Sequence, residues 1–129
     1  MLRNILLIIF TFLVLGCTNS SDIKKDTVTK NELITIYFVH RDNCPACIYM
    51  DKVLKTPEVK SALSKGYKVV VVDINHQDLL PKRSMITGVT PTFYFVNGKG
   101  KEVAKPAHTM TVKEFLAKLK EVRYLTFKN

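Results

Sequence analysis

The sequence predicts one small α/β domain built on a mixed sheet, and three observations carry that expectation. Two apolar, β-branched runs, Leu33 to Val39 and Val69 to Val72, are separated by a helical pattern. A helix between two buried strands is the mark of a parallel crossover. A third run, Pro91 to Val96, ends in Asn97-Gly98-Lys99-Gly100, a tight turn that returns the chain antiparallel.

Leu33-Ile34-Thr35-Ile36-Tyr37-Phe38-Val39 is almost continuously apolar, which predicts a strand buried on both faces. Pro45 suits a first helical position, where a missing N–H costs nothing. Cys47, Met50, Val53 and Leu54 then share one face. Thr56-Pro57-Glu58 predicts a fresh cap and restart, with Val59, Ala62 and Leu63 facing inward and Gly66 as the stop. Val69 to Val72 predicts a second buried strand, finishing at Asp73. Leu79 to Ile86 predicts a short helix ended by Gly88, and Lys101 to Ala104 a short strand paired with Pro91 to Val96. Thr111 predicts the cap of a last helix whose buried stripe is Val112, Phe115, Leu116, Leu119 and Val122. Tyr37, Phe93 and Phe95 are expected in the core, Met50 and Met85 as packing, and His76 and His108 in exposed loops.

A different kind of segment precedes the domain. Arg3 stands before an apolar run from Ile5 to Leu15, shorter than the ~20 residues of a spanning helix. A charged start and short apolar centre predict a secretory signal. The run ends Val14-Leu15-Gly16-Cys17, which resembles a bacterial lipobox. That resemblance implies cleavage before Cys17 and lipid on its sulfur, with the polar residues behind it as a tether. The expected organisation is a signal at 1–16, lipidated Cys17 and tether at 17–31, the domain at 32–125 and a tail at 126–129. The protein is then exported and anchored to a bacterial membrane, facing the periplasm or another extracytoplasmic space. Lipidation of Cys17 also resolves an odd count of 3 cysteines.

The chain carries a formal charge of +9, and about +8 once Arg3 is removed with the signal. Its lysines are scattered, among them Lys52, Lys60, Lys68, Lys101 and Lys120, with no dense run and no aromatic interleaving. Nucleic acid is therefore not an expected partner. A solvated surface is the simplest account, and a field favourable to anionic lipid headgroups the alternative.

Chemistry concentrates in Arg41 to Asp51, "RDNCPACIYMD". Cys44 falls at a strand-to-helix junction, near free backbone N–H groups and the positive end of the helix dipole. Both favour thiolate over thiol and hold such a cysteine below its ordinary range. A thiolate opens disulfides, and a second thiol one helical turn later reaches back to release the partner. The same pair admits other uses. A structural disulfide would close a very short loop and constrain the unfolded chain little. Structural zinc needs four ligands, and no second cysteine pair exists. Copper(I) suits soft thiolates and thioethers better, so a lipoprotein that binds or delivers copper through Cys44 and Cys47 stays as the alternative function.

"CPAC" after a buried strand, with "GVTPTFYFVNGKG" some forty residues later, resembles the thioredoxin family, in particular its small exported bacterial members. The likeness covers Glu32 to Arg123. It implies a thioredoxin fold, with a mixed central sheet flanked by helices. It implies a redox disulfide between Cys44 and Cys47, with Cys44 attacking and Cys47 resolving. It implies a cis bond before Pro91, and Thr90 and Pro91 as the substrate-binding edge. The partners implied are protein thiols and disulfides, with an upstream redox partner, and the enzyme is a thiol–disulfide oxidoreductase. We expect a monomer with no cofactor and no metal, and we expect it to act as a reductase, because the domain is minimal. The chain departs from the family pattern at Asn43, where a tryptophan is usual, at Pro45-Ala46 between the cysteines, and near Pro106-Ala107-His108, where a glycine is usual before the last helix. It departs again at Phe38, where many members bury an acid; His40 and Asp73 are the candidate substitutes.

Overall fold

The computed structural model describes residues 32–128; the expected signal and tether, Cys17 and Asn129 lie outside the described residues. Strand β1 spans Ile34–His40, helix α1 Pro45–Leu54, helix α2 Pro57–Leu63 and strand β2 Tyr67–Asp73. Two single 3-10 turns follow, Gln77–Leu79 and Arg83–Met85, then strand β3 at Thr92–Val96 and helix α3 at Val112–Lys128. The sheet order is β2-β1-β3, with β1 parallel to β2 and antiparallel to β3. This is a thioredoxin fold.

Alternation along β1 divides the core. Ile34, Ile36 and Phe38 face one side with Phe93 and Phe95, where α1, α2 and α3 contribute Met50, Val53, Val59, Phe115, Leu119 and Val122. Val39, Tyr94 and Val96 face the other side, under Leu80 and Met85 from the 3-10 segment. The α-helices thus cover one face, and the short turns seal the other. Phe93, Phe95 and the two methionines lie in the core as expected, and Met50 and Met85 are fully buried.

Four expected elements need correction. β2 is an edge strand and not a buried one: Val71 is 55% exposed, because β2 pairs only with β1. The helix expected over Leu79 to Ile86 is two 3-10 turns, since Pro81 supplies no N–H for a continuous ladder. Gln77 binds the segment instead, with its amide donating to the carbonyls of Ile74 and Thr87 at 2.9 and 2.8 Å and accepting from the Thr87 N–H at 2.9 Å. The return after Asn97 is not a regular strand. Residues 101–107 run beside β3 through isolated pairings, Val96 with Glu102 and Phe93 with Ala107, and Pro106 has no N–H to extend them. Last, α3 continues through Lys128, so the expected tail begins inside a helix.

Local signals explain the element ends. Gly66 has φ +105°, and a Cβ there would lie 2.7 Å from the Arg123 guanidinium. Thr111 and Glu114 form a reciprocal cap: the Glu114 N–H donates to Thr111 Oγ1 at 3.3 Å, and Glu114 accepts the Thr111 N–H at 2.8 Å. The Thr111 N–H, and after it the Thr111 hydroxyl donating at 2.9 Å, hold the Glu114 carboxyl below its ordinary range. Thr56 occupies the expected N-cap position, but its hydroxyl donates back to the Val53 carbonyl and caps nothing.

Candidate redox site

β1 ends at His40, and three residues later the chain turns into α1. That turn is made at Asn43, whose φ is +54°. Asparagine tolerates the left-handed region better than other side chains, and a tryptophan would be strained there. Asn43 thus delivers Cys44 to the N-cap of α1, with Pro45 starting the first turn.

Cys44 and Cys47 are joined by a disulfide, with Cα atoms 5.2 Å apart. Both residues are buried, at 5% and 4% exposure, so accessibility does not rank them. Hydrogen bonding does. The Cys47 N–H donates to Cys44 Sγ at 3.2 Å, so the first sulfur serves as the N-cap acceptor of α1. Thr90 sits against the same sulfur: its hydroxyl is 3.7 Å from Cys44 Sγ, and its carbonyl oxygen 3.9 Å. The Thr90–Pro91 peptide is cis. Residues 46 positions apart in sequence are therefore brought to one sulfur.

Cys47 opens on the other side to a cavity of about 380 Å³ shared with His40, Asp42 and Asp51. Phe38 occupies the position where the resemblance implies a buried acid. It is 3% exposed and stacks on Phe93, centroids 4.6 Å apart at 4°. Of its two candidate substitutes, His40 borders the cavity. Asp73 accepts the Asn75 N–H at 2.7 Å and does not line that cavity.

Sequence reasoning passed over His108. The residue is exposed, as expected, yet its Nδ1 lies 3.0 Å from the Pro91 carbonyl and 3.3 Å from Thr92 Oγ1. A carbonyl only accepts, so Nδ1 carries the hydrogen and donates. Thr92 spends its own hydroxyl proton on the Val89 carbonyl at 2.7 Å, which leaves a lone pair towards the histidine. His108 is placed there by the paired bonds of Phe93 and Ala107, at 2.7 and 3.0 Å. No local motif marks this role; the signal is only that Ala107 pairs one residue past Thr92.

Among the described residues, no group of three or more His, Cys, Asp or Glu is arranged to hold a metal. The Met50 sulfur accepts the Met110 N–H at 3.2 Å and is packed inside the core.

A CxxC disulfide at a helix start, faced by a cis proline, defines a class of fold and chemistry. The family model for a thioredoxin-like domain matches residues 21–123, and the chain belongs to that family. It is a thiol–disulfide oxidoreductase. Among curated proteins it is similar to thioredoxin-like protein 4B of Mus musculus, 26% identical over 110 residues, or 84% of this chain and 72% of that protein. Among solved structures it is similar to a thioredoxin from Thermus thermophilus, 30% identical with a TM-score of 0.58, covering 70% of this chain and 73% of that one. The DsbH oxidoreductase shares the fold at a TM-score of 0.60 and 23% identity, over 74% and 76% of the two chains.

The His108 contacts make a direct prediction. His108→Ala should lower unfolding stability in urea by about 1 kcal/mol, the net worth of a typical hydrogen bond. His108→Asn, whose amide nitrogen stands near the position of Nδ1, should recover most of that loss.

Proposed function

We propose that this protein is an exported, lipid-anchored, monomeric reductase of protein disulfides. The observation that carries the chemistry is the Cys44 sulfur held at the α1 N-cap, with the Cys47 N–H at 3.2 Å and the Thr90 hydroxyl at 3.7 Å. In the reduced protein both donors favour a thiolate on Cys44, and the helix dipole adds to them. The Cys44 thiolate attacks one sulfur of a substrate disulfide. A Cys44–substrate bond forms, the substrate S–S bond breaks, and one substrate thiolate leaves and takes a proton. The Cys47 thiol then gives up its proton and attacks Cys44 Sγ. The Cys44–Cys47 disulfide forms and the second substrate thiolate is released. Two electrons have passed from the protein to the substrate, and an upstream dithiol partner restores them.

Thr90 and Pro91 form the substrate-binding edge. Pro91 has no N–H, so it donates nothing to the sulfurs. The backbone of Thr90 offers polar groups to an extended substrate chain. Reduction is the direction read here because only short turns join β2 to β3, with no inserted helical unit. Export and anchoring rest on the apolar run from Ile5 to Leu15 and the lipobox-like Val14-Leu15-Gly16-Cys17.

Two experiments test the proposal. Cys47→Ala should accumulate mixed disulfides through Cys44 on non-reducing gels, while Cys44→Ala should trap few; the reverse pattern would exchange the two roles. Cys17→Ser should abolish lipid attachment and leave most of the chain unprocessed. Normal processing and membrane retention of that variant, seen by fractionation and intact mass, would end the lipoprotein reading.

A further inference from the structure

At the pole away from the disulfide, α2 and α3 part over a groove of about 750 Å³. Its floor is apolar, from Ala62, Leu116 and Leu119, and its cations are Lys65, Lys120, Arg123 and Lys128. Among the described residues that line it there is no Asp or Glu. On α3, Lys120, Tyr124 and Lys128 stand four apart and so form one row along the helix edge. Tyr124 is 63% exposed, with the Lys128 ammonium 5.7 Å from its ring centroid. One exposed tyrosine between two lysines, beside an apolar floor, suits the boundary between headgroups and acyl chains.

The position of the groove strengthens this reading. Arg123 belongs to it and donates to the Glu32 carbonyl at 2.8 Å, where the chain enters the domain. It also holds the Lys65 and Gly66 carbonyls, at 2.9 and 3.2 Å. Only residues 18–31 separate Glu32 from Cys17, a span of at most about 50 Å. β1 runs from this pole towards Cys44, about 20 Å away at its seven-residue length. The segment ahead of Glu32 carries Lys24, Lys25 and Lys30 against Asp22 and Asp26, so its charge does not complement a cationic groove. Glu121, on the same helix, is paired with Lys118 at 3.1 Å.

We propose that this groove docks on a bilayer surface carrying anionic lipid headgroups and holds the Cys44–Cys47 pole away from the membrane. The lysines meet the headgroup phosphates, and Tyr124 and Phe127 sit at the apolar boundary. The proposal rests on the reading of Cys17 as the anchor, which brings the groove to the membrane.

The test uses the full chain, purified from bacterial membranes and reconstituted into vesicles. One set is phosphatidylcholine alone; the other contains about one third phosphatidylglycerol. Brief acetylation followed by peptide mass spectrometry reads each lysine. Lys65, Lys120 and Lys128 should be protected in the anionic vesicles only, while Lys82, on the segment covering the other face of the sheet, stays reactive. With Lys65 as reporter, Lys120→Gln and Lys128→Gln should each weaken protection about fivefold. Both variants should keep wild-type exchange with a soluble disulfide peptide, which reports an intact fold. Protection that persists in phosphatidylcholine means that a protein surface, a second copy included, covers the groove, and overturns the proposal. So do reactive lysines in anionic vesicles on a chain whose Cys17 peptide carries lipid, a result that leaves the anchor standing. Protected lysines on a chain without that lipid support the docking and remove the anchor.

Discussion

β1 is hydrogen-bonded on both sides, to β2 in parallel and to β3 antiparallel, and that constraint carries the redox pole. The parallel partner requires a crossover, and α1 is the first part of it. The antiparallel partner brings the start of β3, and with it Thr90 and Pro91, beside the end of β1. Cys44 follows β1 by four residues, so the sulfur falls where a helix start and a strand start converge. Neither neighbour alone defines the site. The helix supplies the N–H at 3.2 Å, and the β3 approach supplies the Thr90 hydroxyl at 3.7 Å.

The polar environment is uneven around the disulfide. Beneath it, Phe38 and Phe93 stack in a core without a carboxylate. At its side, Cys47 borders the cavity of His40, Asp42 and Asp51. In the proposed cycle the proton of the resolving thiol therefore leaves sideways, through this cavity, and not downwards into the core. The support for the cis proline is similarly off to one side. His108 reaches the Pro91 carbonyl from the loop before α3, and Gln77 fastens the segment that ends at Thr87. A strand start without regular pairing on its far side is thus held by side chains.

Much of this was legible in sequence because it depends on short-range chemistry. Apolar runs marked β1 and β3, prolines at helix starts marked α1 and α2, and Thr111 with Glu114 marked α3. The CxxC and the Thr-Pro before a strand placed both halves of the site. What was hidden depends on spatial neighbours. Val69 to Val72 is as apolar as a central strand, and its edge position follows only from sheet order. Pro81 was visible, but two 3-10 turns in place of a helix required the Gln77 clamp to make sense. The role of His108 comes from backbone pairing at Ala107, which no periodicity announces.

The central claim is that fold geometry, and not exposure, makes Cys44 the nucleophile. Alkylation of the reduced wild-type protein as a function of pH, with each thiol quantified by peptide mass spectrometry, tests it most directly. Cys44 should react first at mildly acidic pH, titrating below the range of an ordinary thiol because helix-start N–H groups stabilise its anion. Cys47 should lag. Faster labelling of Cys47, or a Cys44 that titrates like an unperturbed cysteine, would contradict the account.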